Sequence, residues 1–227
     1  VGPPTLVSPG RVPRDAAEIK REVRIPVIGV GKIRDPWFAE KALAEGQVDF
    51  VALGRTLIAD PAWPNKAFAG TTREIRRCIS CNRCWSILHR HPIRCAINAR
   101  AGRERAFPMT PVIHRRRVAV VGGGPAGMEA ARVAAERGHA VTLFEKERHL
   151  GGQLRLAVVP PFKRDLAGLL GYLITQVQKK VEVKLQHEVH AAELLQGQFD
   201  FVILATGCLP PEPSRPRDPR AVKTWDV

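Results

Sequence analysis

Hydrophobic and polar positions in the first part of the chain alternate between helical and strand periods. A helical pattern runs over residues 13–23, and a short β-branched strand over residues 25–31 ends in glycine. A second helix is predicted over residues 37–45, opened by Asp35 and Pro36, and a second strand over residues 50–53. This order predicts a β–α–β unit with parallel strands.

A proline-broken connection is expected over residues 57–66, followed by a short helix that stops near Gly70. Residues 99–117 are basic, contain Pro108 and Pro111, and show no apolar periodicity, which predicts a domain linker.

The pattern changes abruptly after Arg117, where a buried strand is predicted over residues 118–121. Later elements are expected as helices over residues 125–137 and 165–179 and as strands over residues 140–144, 181–185 and 201–205. A flexible loop is expected at 150–153, and the chain becomes proline-rich after Cys208. The whole chain is therefore predicted to be α/β.

A G-x-G-x-x-G motif joins the first strand of this second part to its helix. Gly122 permits the tight turn, Gly124 lets a pyrophosphate approach the backbone, and Gly127 lets the helix pack closely on the strand. Glu145 ends the next strand, eighteen residues beyond Gly127, where an acid accepts hydrogen bonds from ribose hydroxyls. The context predicts a dinucleotide site, the alternative being a glycine-rich turn without ligand.

A second phosphate site is suggested by the glycines that follow the first two strands. Gly31 and Gly54 would let backbone N–H groups approach a phosphate, and Arg55 would add a charged fork. Simple turn chemistry is the alternative for both glycines.

Four of the five cysteines fall within eighteen residues, as Cys78, Cys81, Cys84 and Cys95 in the spacing C-x₂-C-x₂-C-x₁₀-C. This spacing favours an iron–sulfur site. The alternatives are structural zinc, with His89 or His91 completing the ligands, and buried or free thiols. Cys208 is interpreted as a core or loop thiol.

Charge is concentrated around these cysteines. The chain has a net charge of +14, and residues 71–117 hold twelve arginines against Glu74 and Glu104. Thiolates and cofactor phosphates are candidate partners for this charge, and a solvated basic face is the alternative. An aromatic content of 6% argues against a nucleic-acid surface.

The chain contains no apolar run of about 18 residues and no leader pattern, so a cytoplasmic protein without a membrane partner is expected. Clustered cysteines in a reducing compartment favour metal over disulfides. Val1 is not an initiator methionine, and both ends are expected to be truncations.

The order of these parts resembles the iron–sulfur flavoenzymes of the NADH:flavin oxidoreductase family, relatives of old yellow enzyme that include bacterial 2,4-dienoyl-CoA reductase and trimethylamine dehydrogenase. The resemblance implies that residues 1–70 are the last two β/α units of an FMN-binding (β/α)₈ barrel. Residues 71–114 would be a four-cysteine [4Fe-4S] segment. Residues 115–227 would be a Rossmann-like FAD-binding domain of the glutathione-reductase type, incomplete at its C-terminal end.

The resemblance also assigns ligands. The loops that match the FMN-phosphate loops contribute Gly31, Lys32, Gly54 and Arg55. The cluster ligands would be Cys78, Cys81, Cys84 and Cys95. The FAD signatures are matched by Gly122, Gly124, Gly127, Glu145, Gly152, Gln153, Thr206 and Gly207. The family's catalytic residues lie on barrel strands outside this sequence, so no catalytic residue is assigned.

Three functions are compatible with the sequence. In the first, NAD(P)H delivers electrons through FAD and the cluster to FMN, which reduces an activated C=C bond of an enoyl thioester or enone. In the second, an amine dehydrogenase holds ADP in the Rossmann-like site and passes electrons to a protein acceptor, and the C-x₂-C-x₂-C spacing resembles this type. In the third, a zinc-bearing module binds nucleic acid through residues 71–117.

Overall fold

The computed structural model describes residues 11–87 and 91–208. His89, one of the two alternative zinc ligands, and the proline-rich segment after Cys208 lie outside these residues. The chain has an α/β fold, and the strand pairings among the described residues are parallel. No described helix combines the length and the apolar character needed to cross a membrane.

Two compact units make up the chain. The first contains the residues up to Pro108 together with Pro161–Tyr172, and the second contains Met109–Pro160 and the residues from Leu173 onwards. Elements of the first unit are α1 (Arg11–Glu22), β1 (Ile28–Val30), α2 (Pro36–Ala44), β2 (Phe50–Ala52), α3 (Arg55–Ala59), α4 (Trp63–Phe68) and α5 (Arg83–Ser86). The later elements are β3 (Arg117–Val121), α6 (Pro125–Glu136), β4 (Ala140–Phe144), α7 (Leu154–Ala157), α8 (Asp165–Lys180), β5 (Glu182–Lys184), α9 (Ala191–Gln196) and β6 (Phe201–Leu204). Helix α8 begins in the first unit and ends in the second.

The first unit contains the predicted β–α–β arrangement. Strands β1 and β2 pair in parallel, with Ile28 opposite Phe50. Helix α2 begins after Asp35, whose carboxylate accepts a hydrogen bond from the Trp37 N–H at 3.3 Å. The core of this unit contains the buried side chains Ile33, Ala39, Trp63 and Ile75. Several apolar side chains of the strands remain more than half exposed, namely Ile28, Val30 and Phe50.

The proline-broken connection predicted over residues 57–66 is largely helical, and the short helix expected to stop near Gly70 is α4, which ends at Phe68. Helix α3 occupies the first part of that stretch and α4 begins at Trp63. Pro64 does not interrupt α4, because it lies in the first turn, where backbone N–H groups have no partner within the helix.

The second unit is built on a four-stranded parallel sheet with the order β5-β4-β3-β6. The predicted strand over residues 140–144 is confirmed, and the helix predicted from Pro125 ends one residue earlier than expected. Val120 and Leu143 are fully buried in adjacent strands of the sheet, as are Met128 and Ala131 on α6. This packing fixes the strand–glycine loop–helix junction that begins at Val121.

Candidate functional site

The first unit contains a cavity of about 280 Å³ at the carboxyl ends of β1 and β2, here called the strand-end cavity. Gly31 and Lys32 follow β1, Gly54 and Arg55 follow β2, and all four line this cavity. The structure therefore brings together all four residues predicted to bind the FMN phosphate. Parallel strands explain this placement, because their carboxyl ends meet at one edge of the sheet.

Lys32 is already paired with a carboxylate of its own unit. Its side chain is only 3% exposed, and its Nζ lies 3.4 Å from Oδ2 of Asp165. Arg34 Nη1 lies 2.8 Å from Oδ1 of the same carboxylate. The Lys32 charge is thus directed towards Asp165, and its role in phosphate binding stays a prediction.

Residues 78–84, here called the cysteine loop, form another wall of the strand-end cavity through Cys78, Ser80 and Asn82. Arg34 Nη1 donates a hydrogen bond to the Cys78 carbonyl at 3.1 Å. Arg55 Nη1 donates to Oδ1 of Asn82. The loops that follow β1 and β2 therefore both hold the cysteine loop.

Two residues that lie between the cysteines of the loop have a left-handed backbone conformation. Ser80 has φ of 55° and Asn82 has φ of 56°. The Ser80 N–H donates to Sγ of Cys78 at 3.4 Å. Alternation of right- and left-handed residues turns N–H groups towards one side and forms concavities that accept anions, including iron–sulfur clusters.

Burial and neighbouring charges change the pKa of two of the cysteine thiols. Burial raises the pKa of the Cys78 thiol, and the Ser80 N–H and the Arg55 guanidinium oppose this rise. Burial also raises the pKa of the Cys84 thiol, with a further increase from neighbouring Cys95. The cysteine loop and the turn that carries Cys95 are therefore close enough for their sulfur atoms to interact.

The donor side chains of the described residues do not converge on a single point. Among residues 11–87 and 91–208, no three His, Cys, Asp or Glu side chains are grouped closely enough to hold one metal ion. A zinc ion requires its sulfur ligands about 2.3 Å from a single point. An iron–sulfur cluster is bulkier, so its thiolates are spread further apart.

Sequence analysis did not identify the residue that fixes the turn after Cys95. Asn98 is 5% exposed, and its Nδ2 donates to the Ile58 carbonyl at 2.8 Å. Its Oδ1 accepts from Nη1 of Arg76 at 3.4 Å, and the same Nη1 donates to the Ile97 carbonyl at 3.0 Å. The only sequence signal was the position of Asn98, three residues beyond the fourth cysteine.

Asp60 anchors the segment that leads into the cysteine loop. Its Oδ2 accepts from the Arg76 N–H at 2.8 Å and lies 2.6 Å from Nζ of Lys66. Asp60 is 3% exposed, so these contacts compensate the cost of burying its charge. Arg76 thus links the approach to Cys78 with the turn after Cys95.

The second unit contains a larger cavity, of about 500 Å³, at the carboxyl ends of β3 and β4, here called the glycine-loop cavity. Most residues predicted to bind FAD line it, namely Gly122, Gly124, Glu145, Gly152, Gln153, Thr206 and Gly207. Gly127 is the exception, because it lies on α6 against the Gly122 carbonyl.

Close backbone packing explains two of the three motif glycines. A Cβ on Gly127 would lie 1.9 Å from the carbonyl oxygen of Gly122. Gly122 itself has φ of 106°, and a Cβ there would lie 2.4 Å from the Ala205 carbonyl oxygen. Gly124 differs, because a Cβ there would meet no atom within 4 Å. It precedes the first turn of α6, so this open space lies at a helix N-terminus, where anions bind.

Glu145 both lines the cavity and holds the glycine loop. Its Oε2 accepts from the Gly123 N–H at 2.6 Å, and its Oε1 accepts from the Glu147 N–H at 2.9 Å. A carboxylate has about four acceptor positions, so these two bonds leave capacity for ribose hydroxyls. Gln153 lines the same cavity, and its Nε2 donates a hydrogen bond to the Cys208 carbonyl at 2.7 Å.

Both parts of the chain match families of oxidoreductases. Residues 7–74 match the NADH:flavin oxidoreductase / NADH oxidase family, and residues 117–223 match the FAD dependent oxidoreductase family. An NADH oxidase from Thermoanaerobacter brockii is 46% identical over 99% of this chain and 37% of its own length. The chain belongs to the NADH:flavin oxidoreductase family.

Other members of this enzyme family are similar over the same region. A metal reductase from Desulforamulus reducens is 40% identical over 97% of the chain and 34% of its own length. The solved structure of 2-naphthoyl-CoA reductase in complex with 2-naphthoyl-CoA has 33% identity and a TM-score of 0.89, over 94% of this chain and 33% of that one. The chain spans about a third of the length of the curated relatives it matches. Proteins named as reductases and as amine dehydrogenases both occur among the matches.

Proposed function

We propose that this protein is a flavin- and iron–sulfur-dependent oxidoreductase. Its cofactors would be FMN, FAD and a [4Fe-4S] cluster, and they would supply the transfer of electrons from NAD(P)H to an activated C=C bond. One observation carries the proposal. The residues predicted to bind FMN line the strand-end cavity, and Cys78 of the cysteine loop lines the same cavity.

In this proposal the first unit holds FMN and the cluster. Gly31, Gly54 and Arg55 bind the FMN phosphate, and the four cysteines of 78–95 bind the cluster. The apolar faces of β1 and β2 support the further proposal that residues 1–70 belong to a (β/α)₈ barrel, because exposed apolar strand faces are usually covered by other elements.

The second unit holds FAD, with its ADP half in the glycine-loop cavity. Gly124 and the N-terminus of α6 receive the pyrophosphate, and Glu145 receives the ribose. The sheet order β5-β4-β3-β6 supports a Rossmann-like arrangement. In that arrangement the first strand of the unit, β3, lies between the second strand, β4, and the fourth strand, β6.

An amine dehydrogenase is the second candidate function. It is supported by the C-x₂-C-x₂-C spacing and by relatives such as a dimethylamine dehydrogenase from Hyphomicrobium, 33% identical over 83% of this chain. In that case the substrate is an amine, ADP occupies the glycine-loop cavity, and a protein accepts the electrons.

Anaerobic mixing of the whole, cofactor-loaded protein with each electron donor distinguishes these functions. We expect NADH or NADPH to reduce the flavins, which is seen as loss of the flavin absorption. A cinnamate or an enone should then reoxidise the flavins and restore the absorption. Dimethylamine should cause no bleaching. Bleaching by the amine and not by either nicotinamide would overturn the reductase proposal in favour of the dehydrogenase.

A further inference from the structure

Arg55 has a second set of partners besides the phosphate that it is proposed to bind. It is the first residue of α3, in the loop region after β2, and is partly buried, and its Nη1 donates to Oδ1 of Asn82. Asn82 lies between Cys81 and Cys84, two of the proposed cluster ligands. The guanidinium is thus held against the cysteine loop by a side chain of that loop.

Arg55 also lines the strand-end cavity together with Cys78, and its hydrogen-bond partner Asn82 is adjacent in sequence to Cys81. Arg34, another arginine that contacts the loop, lies 2.8 Å from the Asp165 carboxylate, which balances its charge. Arg55 is therefore an arginine that the cysteine loop itself holds beside two of the proposed cluster ligands.

We propose that Arg55 sets the reduction potential of the cluster and that Asn82 positions it for this role. The inference rests on the proposed function, since it requires that the four cysteines hold the cluster. A one-electron reduction adds a negative charge to the cluster. A nearby cation stabilises the reduced state more than the oxidised one, and does so most effectively where water is partly excluded.

The residue types at both positions suit this role. A guanidinium stays protonated throughout the physiological pH range, so its charge does not vary with pH. Asn82 has a left-handed φ of 56°, which asparagine tolerates better than most residues, and its amide oxygen accepts the arginine N–H. Glycine would keep this backbone conformation and remove only the amide.

The test is a redox titration of the cluster in the whole protein, followed by electron paramagnetic resonance of the reduced cluster. For Arg55→Gln we expect the reduction potential of the cluster to be more negative by about 59 mV. For a one-electron couple, this shift lowers the ratio of reduced to oxidised cluster about tenfold at a fixed potential. Arg55→Lys should restore the wild-type value, because the charge is kept. Asn82→Gly should shift the potential in the same direction but by less, because Arg55 remains present without its anchor.

Arg73→Gln is the control, because Arg73 is an exposed arginine of the same unit, outside the cysteine loop, whose charge water screens. Its potential should match that of the wild type. Flavin content is measured in each variant, and wild-type protein stripped of FMN is the reference for any variant that has lost it. An unchanged potential in Arg55→Gln, or an equal shift in Arg73→Gln, would overturn the inference while leaving the proposed function intact. Absence of iron and sulfide from the wild type would instead overturn the proposed function.

Discussion

At the residue scale, Asn98 connects the turn after Cys95 to the body of the first unit. In Asn98→Ala the partly buried Ile58 carbonyl loses its 2.8 Å partner, which costs about 1 kcal/mol. The Cys95 turn should then be held less firmly. We expect less iron per chain after anaerobic reconstitution and faster loss of iron to a chelator than in the wild type.

Asn65→Ala is the control for that substitution, because Asn65 is an exposed asparagine on α4 of the same unit. Its iron content and chelation rate should equal those of the wild type. If Asn98→Ala retained iron as firmly as Asn65→Ala, the role of Asn98 in fixing the fourth cysteine would be refuted.

Residue spacing identified the cysteines and motif glycines, because their chemistry depends on positions close together in the chain. The contacts of Asn98, Arg76 and Asp60 join segments 16 to 40 residues apart, and no local pattern indicates such contacts. Lys32 illustrates the same limit, since its carboxylate partner Asp165 lies far along the chain.

At the element scale, the strand–loop–helix junction of the second unit depends on Gly127. In Gly127→Ala the new methyl group would overlap the Gly122 carbonyl, so α6 must move away from the sheet. We expect a loss of about 3 kcal/mol in the free energy of unfolding, at the upper end of the range for overpacking. Urea unfolding of the purified variant measures this loss.

Gly124→Val separates ligand binding from folding at the same junction. The position has φ of −69° and open space around the added side chain, so the fold should be retained. Binding of FAD and ADP, measured calorimetrically, should be abolished, because the side chain occupies the place proposed for the pyrophosphate. Unchanged affinity in Gly124→Val would show that the nucleotide binds elsewhere.

The sequence predicted long, strongly patterned elements better than short ones. The strand–helix–strand stretch from β3 to β4 was predicted at nearly its observed bounds, because a buried strand and a helix of 12 residues flank the glycine motif. The short helices α3 and α9 were missed, because five or six residues carry little periodicity, whereas the short helix α4 was predicted from Gly70 as its stop signal. Their formation depends on packing with residues distant in the chain.

At the scale of the whole molecule, the parallel α/β class was predicted correctly from the alternation of elements. The grouping of Pro161–Tyr172 with the first unit had no signal in the sequence. It is supported by Asp165, which pairs with Lys32 and Arg34, and the periodicity of a helix does not reveal such partners. The local excess of arginine was visible in the sequence, whereas the two arginines that hold the cysteine loop were not distinguishable from the others.

The central claim is that Cys78, Cys81, Cys84 and Cys95 together hold one [4Fe-4S] cluster. Iron and acid-labile sulfide analysis of anaerobically reconstituted protein tests it most directly. We expect about four iron and four sulfide per chain in the wild type and in Cys208→Ala, and loss of both in Cys81→Ala. Stoichiometric zinc without sulfide, or full iron in Cys81→Ala, would contradict the claim.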